Sequence, residues 1–145
     1  MQVGAGVIFP TYDAQLGNNN IDYLGTLNLN YSIEKANLFG GYTFTYIGDD
    51  DVSYTDMNGN TQTIRYQNTN AFSVGAGYSW TAKIYTSLSY YQSDSIYQDV
   101  EDIKNVTLYG YYAIDAHWFI TGSYAYGLSD ATSDNYYSFR VGYYF

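Results

Sequence analysis

Eight stretches of the chain alternate a bulky apolar or aromatic residue with a small uncharged one, and this alternation restricts the fold more than any other feature. In the last stretch the bulky parity consists of Phe145, Tyr143, Val141, Phe139 and Tyr137, and the other parity of Tyr144, Gly142, Arg140, Ser138 and Tyr136. Successive residues of a strand point to opposite sides of a sheet, so each parity forms one face. An amphipathic helix would instead repeat every ~3.6 residues. The alternation therefore predicts β-strands.

The alternation places strands at residues 2–11, 20–32, 37–48, 63–80, 83–94, 103–114, 117–128 and 135–145. The connections are short around 32–37, 81–82 and 115–116, and long around 12–19, 49–62, 95–102 and 129–134. An even number of strands with short turns at one end and long loops at the other is typical of an up-and-down membrane barrel. We therefore expect one domain, residues 1–145, that folds as an eight-stranded antiparallel up-and-down transmembrane β-barrel.

The positions of the charged residues indicate which face of the predicted sheet contacts lipid and which does not. A soluble, lipocalin-like barrel would place the apolar parity inside and the small polar parity in water. A water-facing surface carries interspersed charges, yet Arg140 is the only charged residue of the small parity over the membrane-height stretches. We therefore expect the bulky parity to face lipid. Trp80, Trp118, Tyr143 and Phe145 lie near strand ends, as residues of an interfacial aromatic girdle do.

Composition excludes several other classes. The chain has no Cys, so it has neither a disulfide framework nor a thiolate metal site. Its net charge of −9 argues against nucleic acid as a partner. No run approaches the ~18 unbroken apolar residues of a transmembrane helix. No secretory leader precedes the first predicted strand, so we expect the chain to be a processed form.

The closing segment, Ser138-Phe-Arg-Val-Gly-Tyr-Tyr-Phe145, ends on an aromatic residue with apolar residues two and four places before it. In this segment and in its overall architecture the chain resembles the small eight-stranded outer-membrane β-barrel proteins of Gram-negative bacteria, the OmpA/OmpX/OmpW-like group. The resemblance implies a monomer in the outer membrane with both termini periplasmic. It also implies contact with the lipid bilayer and lipopolysaccharide, and recognition of the closing segment by the barrel-assembly machinery. Members often carry Gly five residues before the end, where this chain has Arg140.

An eight-stranded barrel has room for its own side chains or for one small ligand. Tyr109, Tyr111 and Tyr136 share the inner parity with Arg140 and with many Gly and Ser, so we expect a filled lumen. An unpaired interior Arg140 would be costly. We expect tyrosine hydroxyls or rings, backbone carbonyls, trapped waters or Asp22 to satisfy it.

The long loops hold twelve of the 14 acidic residues: Asp13, Asp22, Asp49, Asp50, Asp51, Asp56, Asp94, Asp99, Glu101, Asp102, Asp130 and Asp134. Clustered oxygens of this kind suit hard divalent cations. The chain therefore carries weak metal candidates at Asp49, Asp50, Asp51 and Asp56, and otherwise an acidic face that is solvated or bridged to lipopolysaccharide. We expect no cofactor beyond loosely bound divalent cations.

The pair Asn58-Gly59 predicts a type I′ turn, with alternating residues on both sides of it. Strands three and four are therefore expected to continue above the membrane as a projecting hairpin. Its exposed edge, near Tyr54 and Ile64, is a candidate for binding an extracellular protein partner by strand addition. The alternative is a loop without a ligand.

His117, the only histidine, follows Asp115 beside a short turn, at the wrong end for a barrel enzyme that acts on lipid. We therefore expect a non-enzymatic barrel that serves envelope structure, adhesion or partner docking. The alternative function is transport, either as a narrow porin-like pore or as the barrel component of a larger outer-membrane conduit.

Overall fold

The computed structural model of the chain describes residues 1–9, 20–48 and 51–145. Its strands, in chain order, are β1 (Gln2–Ile8), β2 (Asp22–Ile33), β3 (Ala36–Tyr46), β4 (Val52–Thr55), β5 (Thr61–Ile64), β6 (Thr69–Ser79), β7 (Ile84–Ser93), β8 (Ile103–Ala113), β9 (Trp118–Gly127) and β10 (Asn135–Tyr143). In the part of the chain described, no helix is long and apolar enough to cross a bilayer.

Eight of these strands form one antiparallel sheet in the order β1-β2-β3-β6-β7-β8-β9-β10. The remaining two, β4 and β5, pair with each other as a separate hairpin between β3 and β6. Every strand of the large sheet therefore pairs with the next one along the chain, as in a meander. The prediction of an all-β, eight-stranded antiparallel fold is confirmed, and residues 10 and 11 of the first predicted strand lie outside the described residues.

Closure of the sheet into a barrel, which the sequence predicts, is not observed. Among residues 1–9, 20–48 and 51–145, β1 pairs only with β2, and β10 pairs only with β9. The sheet is therefore open and has two free edges. Alternation along a strand fixes which side chains share a face, but it carries no information on whether the first and last strands meet, and this is why the sequence could not decide closure.

The registers place the two parities on opposite faces across the whole sheet. We call one the bulky face, represented by Leu27, Phe72, Leu88, Leu108 and Val141, and the other the small-residue face. In β6 the bulky-face residues are all exposed, whereas those of the small-residue face are half-buried or buried. The small-residue face also holds the two larger cavities of the sheet. It is therefore the more enclosed of the two faces.

The sheet has no apolar core. Among the described residues no hydrophobic side chain is buried, and the buried residues with polar side chains are Asp22, Thr69 and Ser95. Side chains in the middle of the bulky face are about half exposed, such as Val74 at 57%, Leu88 at 55% and Leu108 at 52%. A water-soluble domain normally removes such side chains from solvent, because burial is its main source of stability.

Candidate functional site

The small-residue face is lined by short polar side chains that hydrogen-bond to one another across strands. The Asn37 Nδ2 amide donates to Asn30 Oδ1 at 2.7 Å, and the Tyr85 hydroxyl donates to Asn37 Oδ1 at 3.3 Å. Between β3 and β2, Thr43 Oγ1 donates to Thr26 Oγ1 at 3.1 Å. Polar groups on a confined face are stable when they find such partners. This face therefore suits an enclosed, dry or partly hydrated space.

Aromatic rings on this face lie over glycines of the neighbouring strand. A Cβ atom added to Gly75 would contact the Phe39 ring, and one added to Gly77 would contact Tyr85. The same relation holds for Gly142 and the Phe119 ring. The ring fills the space that a side chain on the glycine would need. Large residues are thus accommodated beside small ones, as the sequence predicts for the lumen.

Arg140 lies on β10 opposite Thr121 of β9, on the small-residue face. It lines a cavity of about 580 Å³ together with Tyr109, Thr121, Ser123 and Ser138. Within the described residues its guanidinium makes no hydrogen bond or ion pair. The predicted compensation of Arg140 by tyrosine hydroxyls or Asp22 is therefore not observed.

Asp22 lies at the start of β2, at the long-loop end of the sheet. There its Oδ1 accepts a hydrogen bond from Gly48 N at 2.9 Å. Of the four predicted lumen residues, the structure brings Arg140 and Tyr109 to one cavity. Tyr111 stacks on Phe119, with ring centroids 5.6 Å apart, and Tyr136 lies opposite Ala125, nearer the long loops.

At the end of the sheet that carries the short turns, aromatic side chains form a band on the bulky face. Trp118 contacts Tyr143 edge to face, with centroids 4.9 Å apart, and Tyr143 contacts Phe145 at 5.3 Å. Directly after β6, Trp80 packs against Tyr78 at 5.0 Å. The Trp80 indole N–H donates to Thr86 Oγ1 at 2.8 Å. The four predicted girdle residues thus lie at one level of the bulky face.

His117 belongs to this band, which the sequence did not predict. Its ring stacks on Tyr143, with centroids 5.6 Å apart and an interplanar angle of 16°. The backbone oxygen of His117 accepts a hydrogen bond from Tyr144 N at 2.8 Å. Both contacts tie the closing segment to the turn between β8 and β9. The one sequence signal for an aromatic contact at this place is the alternation of the last strand, because it places Tyr143 on the same face as Trp118.

At the opposite end, two long loops pair with each other. Gln67 N donates to Ile96 O at 3.0 Å, and Gln98 N donates to Arg65 O at 3.0 Å. The side-chain amide of Gln67 donates to Ser95 O at 2.9 Å. These contacts join the segment after β5 to the loop between β7 and β8. The sequence does not predict this pairing, since the two segments are about thirty residues apart and neither alternates clearly.

The hairpin of β4 and β5 is present, but its turn differs from the predicted one. A type I′ turn needs a positive φ at both central residues. Gly59 has a φ of 82°, whereas Asn58 does not lie in the positive region. Gly59 N donates to Asp56 O at 3.0 Å, so the tight turn spans Asp56 to Gly59, and Gly59 leaves it in the left-handed conformation.

The Asp56 carboxylate explains this turn. Its Oδ1 accepts hydrogen bonds from Asn60 N and Asn58 N, both at 2.9 Å. These hydrogen bonds, that from Asn60 first, hold the pKa of Asp56 below its ordinary value because they stabilise the charged form. Asp56 thus caps the hairpin turn. Tyr54 and Ile64 lie on the paired strands that lead to and from this turn.

The acidic loops are only partly described. Asp49 and Asp50 lie outside the described residues, and Asp51 is exposed. In the described ranges no three acidic or histidine side chains converge as metal ligands. The single ion pair found there joins Lys104 Nζ to Asp102 Oδ2 at 4.0 Å. Such an exposed pair stabilises the fold very little.

The chain was also compared with known proteins. No family model matches it, and no curated protein sequence matches it.

Proposed function

We propose that the chain is an integral outer-membrane β-barrel whose bulky face contacts lipid and whose acidic long loops face the cell exterior. The observation that carries the proposal is the exposure of apolar side chains across the whole bulky face, together with the lack of any buried hydrophobic side chain among the described residues. Complete burial of a Leu, Val or Phe side chain contributes about 1.5–3 kcal/mol, and each half-exposed side chain of this face forgoes roughly half of that. A bilayer supplies this transfer free energy without a protein core.

The soluble-carrier alternative requires the opposite arrangement. A lipocalin-like barrel encloses its apolar face, yet here the cavities of about 610 and 580 Å³ lie on the face with Asn28, Ser73, Ser123 and Ser138. The aromatic band of Trp80, Trp118, Tyr143 and Phe145 favours a membrane interface, where such rings are enriched.

Closure belongs to the same proposal. Unpaired backbone N–H and C=O groups at the edges of β1 and β10 cannot remain exposed to hydrocarbon, since each would cost several kcal/mol. Pairing of β1 with β10 would satisfy both edges. We therefore propose that the inserted form is closed, with both termini at the short-turn end and in the periplasm.

The role that we propose is non-enzymatic: envelope structure, adhesion or docking of an extracellular partner. The support comes from the long-loop end, where the hairpin of β4 and β5 projects beside paired loops and acidic residues outnumber basic ones. Lipopolysaccharide bridged by divalent cations is the expected neighbour of such an acidic surface.

A pair of charge substitutions tests which face meets lipid. Leu108 on β8 is opposite Tyr124 on β9, and Ser123 is the next residue of β9 but lies on the other face, so the two sites have nearly the same depth. Leu108→Arg should lower the free energy of unfolding in bilayers by ~2–4 kcal/mol if it lies near the midplane. Ser123→Arg should act mainly through crowding.

The readouts are denaturant unfolding in lipid vesicles and heat modifiability on gels, in which a closed barrel migrates differently before and after boiling. Equal effects of the two substitutions would contradict the proposal, as would a chain that folds as a monomer without detergent.

Transport is the second candidate, because the small-residue face carries two cavities of about 610 and 580 Å³ whose linings include Asn, Ser and Thr side chains. Single-channel recording on refolded protein separates the two roles. A steady conductance that is blocked by a bulky residue at Gly75 or Gly142 would favour a narrow pore over a filled lumen.

A further inference from the structure

The cavity around Arg140 is lined by hydrogen-bond donors of an anion site and by no carboxylate that would occupy them. Arg140, Thr121, Ser123 and Ser138 all line it, and none of these four side chains forms a hydrogen bond or ion pair in the described part of the chain. The guanidinium alone presents five N–H donors in a planar fork. Four neighbouring side chains thus direct unused donors into one space.

In the described strands no carboxylate competes for this guanidinium on the same face. Apart from Arg140, the charged residue that the strands place there is Asp22, which lies at the far end of β2 and accepts a hydrogen bond from Gly48 N. A planar guanidinium pairs best with a carboxylate or a phosphate, which can accept two parallel hydrogen bonds. The ligand class that fits is therefore an oxyanion.

The rest of the cavity has an apolar wall. The rings of Tyr109 and Phe119 line it beside the hydroxyl groups, and Phe119 covers Gly142 next to Arg140. Its volume of about 580 Å³ exceeds that of a simple inorganic ion and lies within the range of small-molecule sites. An organic body could thus lie against the rings while its charged end meets Arg140.

Charge also differs between the two ends of the sheet. Among the described residues the long-loop end holds nine acidic residues against Arg65 and Lys104, whereas the short-turn end has Glu34 and Asp115 against Lys35 and Lys83. Arg140 lies three residues from the end of β10 at Tyr143, about 10 Å along the strand. An anion therefore approaches with less repulsion from the short-turn end.

The geometry points to a binding site for a small organic oxyanion, a carboxylate or phosphate ester, centred on Arg140 and walled by Tyr109 and Phe119. This inference goes beyond the proposed membrane role, because it concerns what the small-residue face binds.

The test is a titration of the refolded chain, residues 1–145, in detergent micelles, followed by amide NMR, with phenyl phosphate and benzoate as probes. Benzyl alcohol, which has the ring without the charge, is the control ligand. We expect saturable shift changes at Thr121, Ser123, Ser138 and Arg140, with the anions binding at least tenfold more tightly than benzyl alcohol.

Matched variants assign the effect to Arg140. Arg140→Gln should weaken phenyl phosphate binding at least tenfold, while Arg65→Gln, which removes one positive charge at the long-loop end, should change it less than twofold. Arg140→Lys keeps the charge without the fork and should bind with intermediate affinity.

Three results would overturn the inference: equal weakening by Arg65→Gln, equal affinity for benzyl alcohol, or shift changes confined to the turns around Lys35 and Lys83. If Arg140→Gln does not fold, the shift map of the unsubstituted chain decides. Heat modifiability is measured separately, so loss of anion binding and failure of the membrane proposal are distinguishable.

Discussion

At the scale of single residues, a different residue determines the conformation of each of the three short turns. Thr81 Oγ1 accepts hydrogen bonds from Lys83 N and Ile84 N, both at 3.1 Å. The Asp115 carboxylate accepts from His117 N at 2.7 Å and from Trp118 N at 2.8 Å. Between β2 and β3, Glu34 takes a φ of 51°. In the first two turns a side-chain oxygen satisfies backbone N–H groups, whereas in the third turn the backbone of Glu34 is strained.

The strain at Glu34 leads to a prediction. A non-glycine residue in the left-handed region costs roughly 1–2 kcal/mol, and glycine has no such cost. Glu34→Gly should therefore raise the free energy of unfolding by about 1 kcal/mol, measured from denaturant midpoints. Lys35→Gly, at the next position of the same turn, is the control and should not stabilise the protein, because Lys35 has no positive φ.

Asp115 leads to a prediction about pH. Hydrogen bonds from Trp118 N and then from His117 N hold the pKa of this carboxyl below its ordinary value of 3.8. Because the folded pKa is lowered, the stabilisation is present above the ordinary value and is lost as the pH falls through the folded pKa.

The measurement compares the free energy of unfolding of the parent chain and of Asp115→Asn between pH 2 and pH 7. Asparagine keeps an acceptor oxygen but does not titrate. The difference between the two proteins should be constant above about pH 5 and should shift against the parent chain below it. A difference that is independent of pH would contradict the role given to Asp115.

At the scale of strands, glycines on the two faces should respond in opposite ways to a methyl group. A Cβ at Gly75 would contact the Phe39 ring and lie 2.9 Å from Leu88 O, whereas a Cβ at Gly110 would meet nothing within 4 Å. Gly75→Ala should destabilise the sheet by about 1–3 kcal/mol through overpacking. Gly110→Ala should stabilise it by about 0.5–1 kcal/mol, because alanine loses less backbone entropy.

Urea midpoints of the two variants measure this difference. Destabilisation of similar size at both positions would mean that the two faces are equally crowded, in conflict with the packing of Phe39 over Gly75.

Strands were the part of this molecule most readily predicted from the sequence. The predicted limits of 83–94, 103–114 and 117–128 differ from the observed β7, β8 and β9 by about one residue at each end. The strand limits are predictable because the two-residue alternation of side chains is a property of a single strand and does not depend on its neighbours. A feature that depends on distant partners was not found, namely the pairing of Gln67 with Ile96. Nor could the sequence show that Arg140 would lack a partner, since this depends on where β8 and β9 lie beside it.

At the scale of the whole molecule, the open edge at β10 gives a direct test of closure. Tyr144 N donates to His117 O, and Gly127 N donates to Asp134 O, so even-numbered residues of this strand bond to β9. Hydrogen-bonded residues alternate along an antiparallel strand. The N–H groups of Tyr137, Phe139 and Val141 therefore point to the free edge.

We predict that in bilayers or micelles these three amides become protected from hydrogen exchange to the same degree as those of Ser138 and Arg140, which face β9. Exchange followed by NMR measures the protection, and the even-numbered amides are the internal control. Rapid exchange at Tyr137, Phe139 and Val141 beside slow exchange at Ser138 and Arg140 would mean that the sheet stays open. Protection that depends on protein concentration would indicate pairing between two copies.

The half-exposed aliphatic side chains in the middle of the bulky face have a consequence for how tolerant the molecule is to substitution. Leu88 and Leu108 have no close-packed interior around them, so neighbouring side chains do not require a particular side-chain shape at these positions. Replacing either by an isomer such as isoleucine changes neither the apolar area nor a set of interlocking contacts. The bulky face therefore requires an apolar side chain at these positions, whereas the branching of that side chain is almost unconstrained.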